Sequence, residues 1–360
     1  MQDILAALHL QRAQDLDTVH RAPPSFEEKI YPAHKVAALV GALLESGVPV
    51  AQALAGSGIA ESRLHAPATR VSYRQMLAVF RNAHRLSPDP ALALRAGQRM
   101  RVTAYGMYGY ALLSSPSHAA AIDLAIKYHR VMGPVADISF SRSDGTAIWE
   151  YQPILSLDSS EDFYRFVLEF QFSSHLTLYK DLYGSSFEFA GVRTVYAAPA
   201  HARLYKRLFK CPVSFGQSSN EVLFDAAWMS DPTVYSDPIT NAMVSEMCEQ
   251  SLAQLNQAEG IAAVVHRLLI EHPGRFPDID TVAAGLSMNT RTLRRRLETE
   301  QTSYRKILAE VRMRLAIEYL RKTDMTTEEI GTRLGYSDAA NFRHAFTRWT
   351  HRPPSDFRSR

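Results

Sequence analysis

Within the last hundred residues one local pattern occurs twice, and no other feature of the chain restricts its fold as strongly. In the first copy, over residues 279–298, Val282, Ala283 and Leu286 share one helical face and Asp280 stands where a helix cap is expected. Ser287-Met288-Asn289 then supplies a tight polar turn. Leu293 and Leu297, four apart, face inward from a second helix over Thr290–Leu297, which leaves Arg291, Arg294 and Arg295 on the opposite side. The second copy, over residues 327–349, places Ile330 and Leu334 before the turn Gly335-Tyr336-Ser337. Phe342, Ala345, Phe346 and Trp349 are then predicted inward, with Asn341, Arg343 and His344 outward. A short helix, a tight turn and a second helix with a polar outer face form a helix-turn-helix, whose second helix enters the major groove of DNA. An isolated arginine cluster is commonly a solvated helix face; its recurrence in the same frame argues for recognition instead.

Ser303–Lys322 lies between the two copies and carries Ile307, Leu308, Val311, Leu315, Tyr319 and Leu320 at helical spacing. A rigid helix there would fix the separation of the two units. Recognition helices about 34 Å apart would meet successive major-groove faces of one DNA turn. Charge follows the same division. Residues 261–360 hold 18 Lys and Arg against 12 Asp and Glu, whereas the first 260 residues hold 22 against 25. A basic module on a mildly acidic body is the electrostatic footprint of nucleic-acid binding.

The first 237 residues read differently. Residues 1–30 form a polar lead-in broken by Pro23-Pro24. The spacing predicts helices from Ala33 (closed by Gly47), over Ser72–Leu86 and over Ser117–Met132. A β-hairpin is expected from Val135–Phe140 and Thr146–Gln152, a long helix over Asp162–Tyr183, strands at Phe187–Ala198 and Val213–Phe224, and a short helix near His201–Phe209. The fold class expected is therefore an α+β domain over residues 31–237, a linker helix region over 238–258, and an all-α domain over 259–360.

The C-terminal series resembles the AraC/XylS family of bacterial transcription regulators. The resemblance is carried by Ser287-Met288-Asn289-Thr290-Arg291-Thr292-Leu293-Arg294-Arg295-Arg296-Leu297, by Arg312-Met313-Arg314-Leu315-Ala316 with Tyr319-Leu320, and by Ile330-Gly331 with Leu334-Gly335-Tyr336-Ser337. It continues through Asn341-Phe342-Arg343-His344-Ala345-Phe346, Arg348-Trp349 and Pro354-Ser355-Asp356-Phe357-Arg358. By position it implies base contacts from Arg291, Arg294, Arg295, Asn341, Arg343 and His344. Asn289, Thr290, Arg296, Arg305, Ser337 and Arg348 would contact phosphates or support the helices, as would Arg312 and Arg358. This chain departs from the family at His344, where arginine is usual, and at Gln301 and His351, where glycine is common.

The N-terminal body resembles the arabinose-binding-type companion domain of the ornithine-utilisation-regulator-like branch of that family. Gly58-Ile59, Pro88–Leu94, Gly106, Gly109-Tyr110-Ala111 and Pro212-Val213-Ser214-Phe215 carry the likeness. Such a domain implies sensing of a small effector, homodimerisation, or both. Among its aromatic and polar residues, Tyr105, Tyr128, Trp149 and Tyr164 are candidates for an effector pocket; packing in the core or at a subunit interface is the competing reading.

Enzymatic patterns are not found: there is no GxSxG, no glycine-rich phosphate loop, no GxGxxG and no HExxH. Asp89 and Glu169 are expected to be surface or capping carboxylates rather than a catalytic pair. No cofactor or metal is expected, and Cys211 and Cys248 are too few for a disulfide framework or a structural zinc site. No long apolar run suggests a membrane span, and the start lacks the pattern of a secretory signal, so a cytoplasmic protein is expected. The partners expected are double-stranded promoter DNA, RNA polymerase, a second copy of the chain and an unknown small molecule. Two alternatives stay open at this point: a constitutive regulator whose N-terminal domain only dimerises, and an enzyme domain fused to a DNA-binding module.

Overall fold

The structure, a computed structural model, describes residues 28–156, 161–258, 260–270, 272–300, 302–350 and 352–358. Gln301, His351 and nearly all of the predicted lead-in lie outside the described residues. Two separate apolar cores organise the rest, one drawn from residues between Tyr31 and Leu255 and the other from residues between Val265 and Phe357.

The first core begins with β1 (Tyr31–Pro32), which pairs antiparallel with β2 (Arg70–Val71). Helix α1 (His34–Glu45) buries Val36, Leu39, Val40 and Leu43 and stops at Ser46-Gly47; the chain restarts as the one-turn α2 (Val50–Ala53). Helix α3 (Tyr73–Leu86) opens with a full capping box, in which Ser72 Oγ accepts the Gln75 N–H and Gln75 Oε1 accepts the Ser72 N–H. Two helices follow that periodicity did not predict, α4 (Leu92–Gln98) and α5 (Gly106–Leu113). Helix α6 (His118–Tyr128) is shorter than expected because residues His129–Met132 tighten into a 3-10 turn.

The expected hairpin is present as β3 (Ala136–Ser143) and β4 (Thr146–Pro153), in register with Phe140 opposite Trp149. Its two-residue turn, Asp144-Gly145, takes positive φ at both positions (49° and 76°), the twist that a tight hairpin requires. Helix α7 (Asp162–Tyr183) is buried almost all round, because it lies between α3 and α4 on one side and the sheet on the other. The predicted strand over Phe187–Ala198 reduces to β5 (Gly191–Arg193), since Phe187 and Phe189 leave the strand to pack on Tyr179. Helix α8 (Ala202–Phe209) precedes β6 (Val213–Ser214) and β7 (Glu221–Asp225), which replace the single predicted strand over Val213–Phe224. The sheet order is β3-β4-β7-β5-β6, with only the β5–β6 pair parallel.

Helix α9 (Pro238–Ala258) packs on α5 and leads out of this body. Tyr128 donates to Glu249 (2.8 Å), and Asn241 Nδ2 donates to the Ala111 carbonyl (2.9 Å), fixing α9 at both ends of its contact. The second core is entirely helical: α10 (Ile261–Ile270), α11 (Ile279–Gly285), α12 (Thr290–Thr299), α13 (Tyr304–Lys322), α14 (Thr327–Arg333) and α15 (Ala339–Thr350).

Candidate nucleic-acid interface

The two helix-turn-helix units, α11–α12 and α14–α15, close their turns with one and the same hydrogen-bond pattern. In the first, Met288 N–H bonds Ala283 O (2.9 Å) and Ser287 N–H bonds Ala284 O (2.9 Å); in the second, Tyr336 N–H bonds Gly331 O (2.9 Å) and Gly335 N–H bonds Thr332 O (3.0 Å). These are paired six-to-one and five-to-two closures, which need a left-handed residue just past the helix end. Gly335 meets that need at φ 76°, whereas Ser287 is forced to φ 55°. Ser287→Gly is therefore expected to stabilise the C-terminal domain by about 0.5–1 kcal/mol, and Gly335→Ala to destabilise it by about 1 kcal/mol. Urea midpoints of the C-terminal transition measure both, and a Ser287→Gly variant less stable than the parent would refute the reading.

Capping differs in one place from the expectation. Asp278, not Asp280, caps α11 by accepting the Thr281 N–H (2.8 Å), and that N–H holds its carboxyl below the usual range. Asp280 instead accepts the hydroxyl of Thr290, which ties α11 to the first residue of α12. Asn289 caps α12 through Thr292 N–H (2.8 Å). Thr326 and Glu329 form a reciprocal box at α14, and Asp338 caps α15 through Asn341 N–H (2.7 Å). Each recognition helix thus starts from a locked first turn, so its outer side chains project from a fixed axis.

Leu293 and Leu297 are buried under α12, and Phe342 and Phe346 under α15. Arg291, Arg294, Arg295 and Arg296 are exposed on the first helix, and Asn341, Arg343, His344 and Arg348 on the second. Their helical positions are not equivalent. Arg291 and Arg295 point directly away from the Leu293–Leu297 seam, while Arg294 borders a cleft of about 790 Å³ between the two units. Arg305 and Arg348 line the same cleft, as do Tyr336 and Trp349, which is partly exposed rather than fully buried. Asn341 is engaged at home: its Nδ2 donates to Ser337 Oγ (2.9 Å) and Asp338 Oδ2 (2.8 Å).

Helix α13 joins the units, with Ile307, Val311, Leu315 and Leu320 buried. Arg312 stacks over Phe276 and Tyr336 at 5.4 and 5.0 Å and donates to Gly335 O (3.4 Å), so it holds the second turn rather than reaching outward. Arg358 donates to the Met325 carbonyl and is likewise occupied within the fold. Sequence reasoning missed Glu300, whose carboxylate accepts the first two N–H groups of α10, from Ile261 (2.7 Å) and Ala262 (2.9 Å). A carboxylate at a helix N-terminus satisfies both orphan donors and the helix dipole, and here it ties α12 to α10.

In the N-terminal body the four pocket candidates separate. Trp149 and Tyr164 sit in the core, where Trp149 Nε1 donates to Tyr179 Oη (2.6 Å) and Tyr164 Oη accepts from Asn220 (2.7 Å). Tyr128 is committed to Glu249 on α9, and Tyr105 lines a cavity beside α1. Asp89 is a cap, accepting Ala91 N–H (2.9 Å), but Glu169 is no surface group. It is 1 % exposed, accepts from Tyr205 (2.6 Å), and lies 2.6 Å from His201 Nε2 and 3.6 Å from Arg165. The sequence alone suggests a surface or capping carboxylate, yet Tyr205 of α8 and His201 at its start cover it and bond it.

Among the described residues, α13 meets the N-terminal body at Arg314, which forms an ion pair with Asp137 of β3, and at Arg321, which lies beside Tyr164 of α7.

Comparison with known proteins finds a family match in each half of the chain. Residues 47–233 match the family described as the arabinose-binding domain of AraC transcription regulator, N-terminal, and residues 282–360 match a helix-turn-helix domain family. The chain is 33 % identical over 338 residues to the ornithine utilization regulator of Pseudomonas aeruginosa, spanning 94 % of this chain and 99 % of that protein. It is 27 % identical over 278 residues to the HTH-type transcriptional regulator VqsM of the same organism, spanning 74 % of this chain and 83 % of that protein. The crystal structure of the transcriptional regulator CdpR from Pseudomonas aeruginosa aligns over 92 % of this chain and 100 % of that chain, at 23 % identity and a TM-score of 0.49.

Proposed function

This chain belongs to the AraC family of helix-turn-helix transcription regulators, and from that premise we propose that its N-terminal domain senses a small effector and sets how the C-terminal domain engages promoter DNA. Residues 31–237 form the sensing and dimerising part, 238–258 the linker, and 259–360 the DNA-binding part. Arg291, Arg294 and Arg295 read base edges in one major-groove segment, and Asn341, Arg343 and His344 read the adjacent one. Asn341 trades its bonds to Ser337 and Asp338 for a base edge when DNA is present. Asn289, Thr290, Arg296, Arg305, Ser337 and Arg348 position the helices and meet phosphates. The bound regulator acts in the cytoplasm, at the nucleoid, and activates by recruiting RNA polymerase.

A homodimer fits the exposed apolar side chains Met107 and Tyr110 of α5 and Ile239, Met243 and Met247 of α9. Ile239, Met243 and Met247 fall four residues apart, on one stripe of the helix that leads to the DNA-binding part.

The observation that carries the effector reading is the pair of contacts from the sheet side of the N-terminal body to α13, the helix that holds both units. A shift of β3 or α7 is thereby felt by both recognition helices. Footprinting on the chain's own upstream DNA, with and without candidate metabolites, tests this beside Arg314→Ala. The variant is expected to keep its sequence preference and lose most of its response to the effector. Identical occupancy and identical promoter output with every metabolite would favour the constitutive dimeriser instead.

A further inference from the structure

Between α1, residues 64–70, residues 105–108 and α9 lies a cavity of about 350 Å³, within the roughly 300–1,000 Å³ typical of small-molecule sites. A second space of about 420 Å³ shares His34, Ala37 and His65 with it and adds Arg99. His65 and Arg70 supply basic groups to the wall, His34 is held down to about 4 by burial and by the neighbouring Lys35 and Arg70, and Tyr105, Met107 and Met132 supply apolar surface. Among the described residues no carboxylate lines either space. Arg70 donates to the carbonyl oxygens of Pro67 (3.1 Å) and Thr69 (3.3 Å), which satisfy hydrogen bonds but carry no counter-charge.

Directly behind this wall sits Lys35, which is 5 % exposed. Its ammonium donates to Met132 O (2.8 Å) and stands 5.8 Å from the centre of the Tyr105 ring, both residues of the wall. No carboxylate among the described residues pairs with it. A buried ammonium without a counter-charge is costly, and a methionine of similar length would fill the same space without that penalty. Burial accordingly pulls Lys35 down to about 7. The wall and the lysine together form a basic, partly aromatic cleft with no acidic side chain among its described lining residues.

We propose that this cavity is the effector site and that its ligand is a small organic carboxylate with an apolar or aromatic body. This rests on the effector-sensing reading above. The carboxylate meets Arg70, with His65 beside it, and Lys35 lends its charge from behind Met132 and Tyr105, while the body lies against Tyr105, Met107 and Met132. Cys248 and Ser251 of α9 complete the wall, so occupancy bears on the helix that leads into the DNA-binding domain.

Thermal unfolding of the purified full-length protein with benzoate, phenylacetate and hexanoate, beside benzamide and benzylamine, tests the proposal. A saturable rise in Tm is expected with at least one carboxylate and with neither the amide nor the amine. Lys35→Met is expected to melt higher than the parent without ligand and to lose the carboxylate shift, so the loss is not a folding defect. Arg70→Ala, a change at an exposed residue, should leave the parent Tm and weaken the carboxylate about tenfold. The proposal falls if the amide or amine stabilises equally, if both variants keep the shift, or if none of the carboxylates acts. A metabolite that alters DNA occupancy equally in the parent and in Lys35→Met would also overturn it, while leaving effector sensing itself intact.

Discussion

Replacing Arg291 and Arg295 together with alanine is expected to abolish the preference of the whole protein for its own upstream DNA while leaving weak, salt-sensitive binding in place. Both side chains stand opposite the buried Leu293–Leu297 seam of α12, so alanine removes their reach without touching the core. An arginine that pairs two-pronged with a guanine contributes about 1–3 kcal/mol of discrimination, so the pair together contributes roughly 2–6 kcal/mol. The residual binding should still fall with salt, because the phosphate-facing groups remain. Arg305→Ala serves as the contrast: uniform weakening across sequences, with the salt slope reduced by about one. A double variant that kept the parent's ratio of specific to random binding would move base reading off the first recognition helix.

The second large effect is on stability below neutral pH. Burial holds His175 of α7 down to about 4 and His266 of α10 down to about 3. In the unfolded chain both take up a proton near 6.5, so the unfolded state binds more protons as the pH falls below that value. Their contribution is therefore fully present above pH 6.5 and is lost as pH drops toward 4. At about 1.4 kcal/mol per pH unit, roughly 3 kcal/mol is lost through each of these two histidines by pH 4. Urea midpoints between pH 7 and 5, with hydrogen exchange in α7 and α10 to separate the domains, measure the loss. His266 is 2 % exposed and its Nδ1 has no hydrogen-bond partner among the described residues, so His266→Leu should flatten the pH dependence of the C-terminal domain alone. An unchanged slope in that variant would show that His266 is not the group responsible.

Several parts of the molecule were legible because their causes are local. Alternating Leu293 and Leu297, or Phe342 and Phe346, identify a helix and its inner face from four-residue spacing alone. Ser72 with Gln75, and Asn289 before Thr290, announce helix starts through bonds that span three residues. Asp144-Gly145 announces a hairpin because few other pairs accept its backbone angles. Where two local solutions compete, the outcome was harder to read. Asp278 and Asp280 are both fit to cap α11, and the choice fell to Asp278 because Thr290 draws Asp280 into a bond ten residues away. Helices α4 and α5 escaped notice because their alanines and glycines bury flat faces with little contrast.

Local pattern is enough to specify the two helix-turn-helix units, their outward arginines, the amphipathic helix between them, and the hairpin and long helix of the first domain. Each of these follows from interactions between residues within about one or two turns of each other. Tertiary structure alone decided that Glu169 is buried under α8, that Glu300 holds the start of α10, that Arg314 reaches Asp137, and that Lys35 meets Met132 behind a basic wall. Those partners lie tens to more than a hundred residues apart. No period or cap encodes such pairings, because they form only when packing of the apolar faces brings distant polar groups together and removes their water.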